Sequence, residues 1–221
     1  MTASPDPRLA TARPACRVLP EQVEGPYHRR GHPDRRDITE GCEGTPLRVG
    51  LRLLAPDALT PLRDVVVEVW QADATGRYSG FGRAEPRADG TPLAAEEAPT
   101  EEVAPHETFL RGSQRTDEAG TCWFQTIWPG WYSGRTVHVH AIVHLGDGRT
   151  VTTQLYFPDE LNDEVLASGP YAGRGPRDTT NATDTIFAGG GVNTVLQLER
   201  EGAGWSGVLC LALAEDAGEG G

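Results

Sequence analysis

Apolar and polar residues alternate with a two-residue period in several short runs, which places successive side chains on opposite faces of a strand. Leu47, Val49, Leu51 and Leu53 mark a half-buried strand over residues 47–53. Residues 65–70 (VVVEVW) are β-branched and richer in apolar side chains, which predicts a central strand. Residues 109–115 and 121–127 read as strands flanking a turn at 117–120, and 136–145 with 150–157 as a hairpin around Gly146, Asp147 and Gly148. A short helix is expected over 162–167, and the last strands over 194–198 and 207–213. Two stretches lack any period: 82–105, with Glu96, Glu97, Glu101 and Glu102, and 169–187. Unstructured connections of that length are commonly functional. The sum predicts an all-β fold: a single-domain β-sandwich with little helix, whose long loops frame the active site.

The 221 residues suffice for one domain with a full core. The boundaries expected are a disordered lead over 1–15, the domain over 16–214 and an acidic, glycine-rich tail over 215–221. Glycine (27) and proline (17) are abundant, in keeping with many turns. All 20 basic residues are arginine, so lysine Schiff-base chemistry and a phosphate-loop lysine are excluded. The net charge of -12 argues against nucleic acid or an anionic membrane as partner. Residues 1–15 show no apolar leader core and no run approaches membrane-spanning length, so the expected location is cytoplasmic. Cys16, Cys42, Cys122 and Cys210 form no Cys-x-x-Cys pair. Buried free thiols are the expectation, with one bridge, Cys16 to Cys42, as the alternative in an exported chain.

The chemistry concentrates on His138 and His140. Two apart in an alternating run, they leave the same strand face roughly 7 Å from each other, a gap two imidazoles can close on one metal ion. Tyr132 stands six residues earlier, with Arg135 between. Imidazoles and a phenol without nearby thiolates point to iron rather than structural zinc. His144 continues the same face but lies roughly 13 Å from His138, too far to share the ion. It is read with His28, His32 and His106 as structural.

Four segments, taken in order, resemble the intradiol ring-cleavage dioxygenases: 70–79 (WQADATGRYS), 109–117 (FLRGSQRTD), 126–132 (TIWPGWY) and 135–140 (RTVHVH). The resemblance implies one Fe(III) per chain held by Tyr78, Tyr132, His138 and His140. It places Arg135 beside the bound ring as a cationic stabiliser and Gln154 at the back of the pocket, with Tyr132 also working as an internal base. Trp70 falls behind the ligands, and Tyr27, in Glu-Gly-Pro-Tyr, falls at the pocket mouth. The implied activity opens catechol-type rings with O2 to muconate-type diacids, and a homodimer is left open. Two rivals stand beside it. One is a catalytically silent β-sandwich that binds catechols or catecholate siderophores. The other is an extradiol enzyme, against which no acidic residue stands at ligand spacing from His138 and His140.

Overall fold

The computed structural model describes residues 16–89, 91, 97 and 100–214. The expected lead and tail, and part of the 82–105 stretch with Glu96, lie outside the described residues. Two sheets face each other. The first orders its strands β1 (Arg17–Val18), β9 (Gly204–Ala212), β2 (Pro46–Leu54) and β5 (Thr121–Ile127), with β8 (Glu199–Glu201) also on β9. The second orders β4 (Arg111–Arg115), β3 (Val66–Trp70), β6 (His138–His144) and β7 (Thr150–Tyr156), antiparallel throughout. The sandwich is therefore as the alternation predicts, and β3 is an interior strand. Among the described residues a single α-helix, α1 (Asp159–Leu166), follows β7 and starts three residues before the expected position.

Alternation sorts β3 and β6 into two environments. Val67, Val69, Val139, Ala141 and Val143 join the core between the sheets, with Leu47, Val49, Leu51, Phe124, Leu209 and Leu211. Glu68, Trp70, His138, His140, Ile142 and His144 occupy the alternate positions, on the sheet's other face. There a second buried cluster gathers Tyr27, Trp70, Tyr78, Phe81, Tyr132 and Ile142, supplied largely by loops. The functional face of this sheet is thus covered by chain rather than by another sheet.

Two expectations are corrected. Residues 194–198 form no strand: the chain makes a 3-10 turn at Gly191–Thr194, and Val195 contributes only a bridge to Tyr156. The final pairing belongs to β8 and β9 instead. The cysteines also pair otherwise, Cys16 with Cys210, leaving Cys42 and Cys122 as the free thiols. The reason is register: β1 runs parallel to β9 with Arg17 opposite Leu211, so one step back brings Cys16 to Cys210. No described helix is long and apolar enough to cross a membrane.

Candidate metal centre

Each of the four sequence-marked donors reaches the centre from a different local device. His138 and His140 leave one face of β6, as their spacing requires. Tyr78 follows β3 on a loop folded by Asp73, whose carboxylate accepts the backbone N–H of Thr75 (2.8 Å) and of Arg77 (3.0 Å). Buried Arg111 donates to the Ser79 hydroxyl at 2.7 Å and holds the far side of that loop. Tyr132 lies between β5 and β6. Its loop is tied to the Tyr78 loop where the Gly130 N–H donates to the Asp73 carbonyl at 3.0 Å. The backbones approach so closely that a Cβ at Gly130 would collide with the Asp73 and Ala74 carbonyls, so glycine is required there.

The four side chains converge. His138 Nε2 lies 2.9 Å from His140 Nε2, 3.3 Å from Tyr78 Oη and 3.2 Å from Tyr132 Oη. Arg135 Nη1 stands 3.5 Å away. All of these residues are buried. His138 Nδ1 donates to the Thr136 carbonyl at 2.7 Å, which leaves Nε2 as a bare lone pair pointing into the cluster. One lone pair is then claimed by two phenols, an imidazole and a guanidinium, more donors than it can accept. A cation at that point reverses the count, since two phenolate oxygens and two imidazole nitrogens all become donors to it. The donor set therefore fits a trivalent iron ion, with hard oxygens balancing charge and imidazoles completing the set.

The electrostatics agree. Burial, reinforced by Tyr132, pushes the Tyr78 phenol well above its ordinary range. Burial raises Tyr132 as well, with Arg135 the largest opposing pull. Both are neutral phenols unless a cation is present to favour the phenolates. Burial and then Arg135 hold His138 down at about 3, and burial takes His140 well below its usual value, so both rings are neutral ligands at neutral pH.

Around the donors, Trp70 stacks on His140 with ring centres 4.7 Å apart and planes 5° from parallel. Tyr27 stacks on Tyr78 at 4.4 Å and meets Tyr132 edge-on at 5.9 Å. Gly25, two residues before Tyr27, has φ +77°, and a Cβ there would sit 3.1 Å from His140 Cε1. Gln154 accepts from Arg135 Nη2 and donates its own Nε2 to the Val23 carbonyl at 3.0 Å. It thereby ties the Arg135 side chain to the Tyr27 segment.

Asp184 was not singled out by sequence. Its Oδ2 accepts from Arg135 Nε and from the Thr136 N–H, each at 2.8 Å, and its Oδ1 accepts from the Ile186 (2.8 Å) and Phe187 (3.0 Å) N–H groups. Burial alone would raise its pKa, but Arg135 and the backbone donors hold the carboxyl low. The same carboxylate and Tyr132 keep Arg135 charged against its own burial. The signal available in sequence was indirect: a buried arginine requires a carboxylate, but nothing in 169–187 says which.

The fold and the site together are an all-β sandwich with a buried cluster of two tyrosines and two histidines beside a fixed arginine. The pattern of a family described as Dioxygenase matches residues 23–173. This chain belongs to the intradiol ring-cleavage dioxygenase family. It is similar to a solved intradiol ring-cleavage dioxygenase from Tetranychus urticae, with 30% identity, TM-score 0.76, and 90% of this chain and 95% of that one covered. The dioxygenase domain of a carbohydrate-binding fusion protein from a Streptomyces species follows at 28% identity and TM-score 0.62, with 89% and 98% covered. Chlorocatechol 1,2-dioxygenase of Cupriavidus pinatubonensis is 28% identical over 156 residues, 61% of this chain. The match spans only 53% of that relative's length.

Proposed function

We propose that this chain is a mononuclear ferric intradiol dioxygenase, with Tyr78, Tyr132, His138 and His140 holding one Fe(III). Its substrates are catechol-type rings and O2, and its products are cis,cis-muconate-type dicarboxylic acids carrying both oxygen atoms. The observation that carries the reading is the over-subscribed His138 Nε2, surrounded by four donors where one cation would satisfy the ligands together. Ferric iron bound there would act as a Lewis acid, drawing electron density from a catecholate and making its ring reactive toward O2.

The protein's own groups then have distinct tasks. Tyr132 takes the role of internal base that the family resemblance implies: as a phenolate beside Arg135, its Oη would take the second catechol proton. Arg135 is always charged and is held by Asp184 on one side and Gln154 on the other. It offers fixed positive charge where negative charge develops on the substrate, at no cost in reorganisation. Tyr27, Trp70 and Tyr78 exclude water from the cluster and lend it a low dielectric, which strengthens that interaction.

Oxygen uptake with catechol, followed by product mass under labelled O2, tests the reading. The expected product is a diacid bearing both labelled atoms. Tight catechol binding without oxygen uptake would replace this reading by the silent binding module, and an aldehyde-bearing product would point to extradiol cleavage.

A further inference from the structure

Behind Trp70, on the side away from the tyrosine–histidine cluster, stands a second group of potential ligands. The donor atoms of His28, His32 and Glu68 all lie within 4.8 Å of one another. Glu68 Oε2 is 3.3 Å from His28 Nε2, 4.0 Å from His32 Nδ1 and 3.5 Å from His144 Nε2. Three imidazoles thus surround one carboxylate oxygen, and two of the contacts are too long for good hydrogen bonds.

Two features separate this group from an ordinary polar patch. The His32 side chain is 1% exposed, and neither of its ring nitrogens has a hydrogen-bond partner. His144 Nε2 is also buried and without one. A neutral imidazole left this way forfeits both its donor and its acceptor, which native interiors rarely tolerate. The second feature is orientation: His28 Nδ1 is 3.0 Å from Glu24 Oε1, so the ring's other nitrogen is turned toward Glu68. A carboxylate fixing the far nitrogen of an imidazole is the usual outer partner of a metal-binding histidine.

We infer that His28, His32 and Glu68, completed by His144, form a divalent transition-metal site of the zinc type, distinct from the tyrosine–histidine centre and separated from it by Trp70. Nitrogen donors with one carboxylate are a zinc-type set. With bonds near 2.1 Å, tetrahedral ligand atoms stand about 3.4 Å apart, so the three present must close in by roughly 1 Å. His144, with a side chain 39% exposed, is the least enclosed of the three imidazoles and has room to follow. A cavity of about 350 Å³, lined by His28, Glu68 and His144 among others, connects the group to solvent and gives an ion its entry. Trp70 is the partition. It lies flat on His140, while His28 and His32 approach it at 4.9 and 5.7 Å. An ion here would clamp the segment carrying Gly25 and Tyr27 onto the four-stranded sheet, and so fix one wall of the other site.

Equilibrium dialysis of the iron-loaded full chain against Zn2+, with metal analysis, tests this. Wild type should retain one zinc per chain, and the ion should raise its thermal midpoint. His32→Gln should bind zinc more than about 100-fold more weakly, beyond the loss an outer partner gives, and Glu24→Gln about 10–100-fold more weakly. Because His32 is buried, His28→Ala, at a half-buried position, serves as the second variant and should behave alike. His138→Ala should keep this zinc, since it removes a ligand of the other centre only. Zinc binding unchanged in both His28→Ala and His32→Gln, or none in folded wild type, would overturn the site.

Discussion

Asp184→Asn removes one negative charge from a carboxylate that is wholly buried and accepts from Arg135 Nε and three backbone N–H groups. The Arg135 guanidinium is itself only 7% exposed, so it cannot recover hydration. Leaving one member of a buried pair uncompensated costs about 3–5 kcal/mol. The amide aggravates this, because its NH2 must face one of the donors the carboxylate accepted. For a domain of this size each kcal/mol moves the thermal midpoint by roughly 2–4 °C, so a fall of roughly 6–20 °C is expected. Catechol turnover should fall as well, since Arg135 loses the partner that aims Nη1 at the cluster. Differential scanning fluorimetry and oxygen uptake measure the two effects. The double variant Asp184→Leu/Arg135→Met removes both charges; it should regain stability relative to Asp184→Asn, without regaining turnover. A midpoint within about 2 °C of wild type for Asp184→Asn, a shift worth roughly 1 kcal/mol or less, would refute the claim that this pair organises the site.

The same carboxyl sets an acid limit. Its pKa is held below the unfolded value of about 3.9, so its contribution is complete above that pH and is lost as pH falls toward the folded value. Chemical denaturation at stepped pH should therefore show wild type losing its margin over Asp184→Asn below about pH 4, whereas a constant margin would contradict the assignment. Iron-loaded protein should be visibly coloured by tyrosinate-to-iron charge transfer; Tyr78→Phe should shift or weaken that band, and an unchanged spectrum would remove Tyr78 from the ligand set. Thiol titration of denatured protein should find two reactive cysteines before reduction and four after, because Cys16 and Cys210 are bridged while Cys42 and Cys122 are free. Gly25→Ala meets both a left-handed backbone and the edge of His140, so it should lower stability by about 1–3 kcal/mol in urea titration.

What the sequence disclosed depended on whether the information was local. β5 occupies residues 121–127 as its alternation and flanking turns predict, and β3 and β6 lie within their expected spans. β8, with the sequence Glu-Arg-Glu, carries no apolar signal at all; it exists because β9 offers an edge. Residues 194–198 carry a convincing apolar pattern, yet that segment lacks a ladder and turns. The site divides likewise. The face shared by His138 and His140 follows from spacing alone. Tyr132 stood out by its spacing from that pair, whereas Tyr78 came only from resemblance to a family, and the loop contact at Gly130 that brings the two tyrosines to the same point had no sequence signature. Asp184 and the grouping of His28 and His32 around Glu68 were illegible for a common reason. Each is a pairing across some dozens of residues of charged or polar groups that look like ordinary surface when read singly.

Without a cation the cluster would be internally frustrated, and this bears on stability as much as on catalysis. With His138 Nδ1 committed to the Thr136 carbonyl, His140 Nε2 can carry a proton to His138 Nε2, but its own Nδ1 is then a buried acceptor without a partner. The Tyr78 and Tyr132 hydroxyls must compete for the acceptor already used. Each buried polar group left short costs about 1–3 kcal/mol, so folding without the ion would work against several such terms at once. A cation bound only by the folded state removes these conflicts and adds its own binding free energy. Stripping iron with a chelator selective for the ferric ion should therefore lower the thermal midpoint, and ferric iron should restore it. His138→Ala should make the midpoint insensitive to both. A chelated wild-type protein that melts like the loaded one would mean that these four side chains do not act together on one ion.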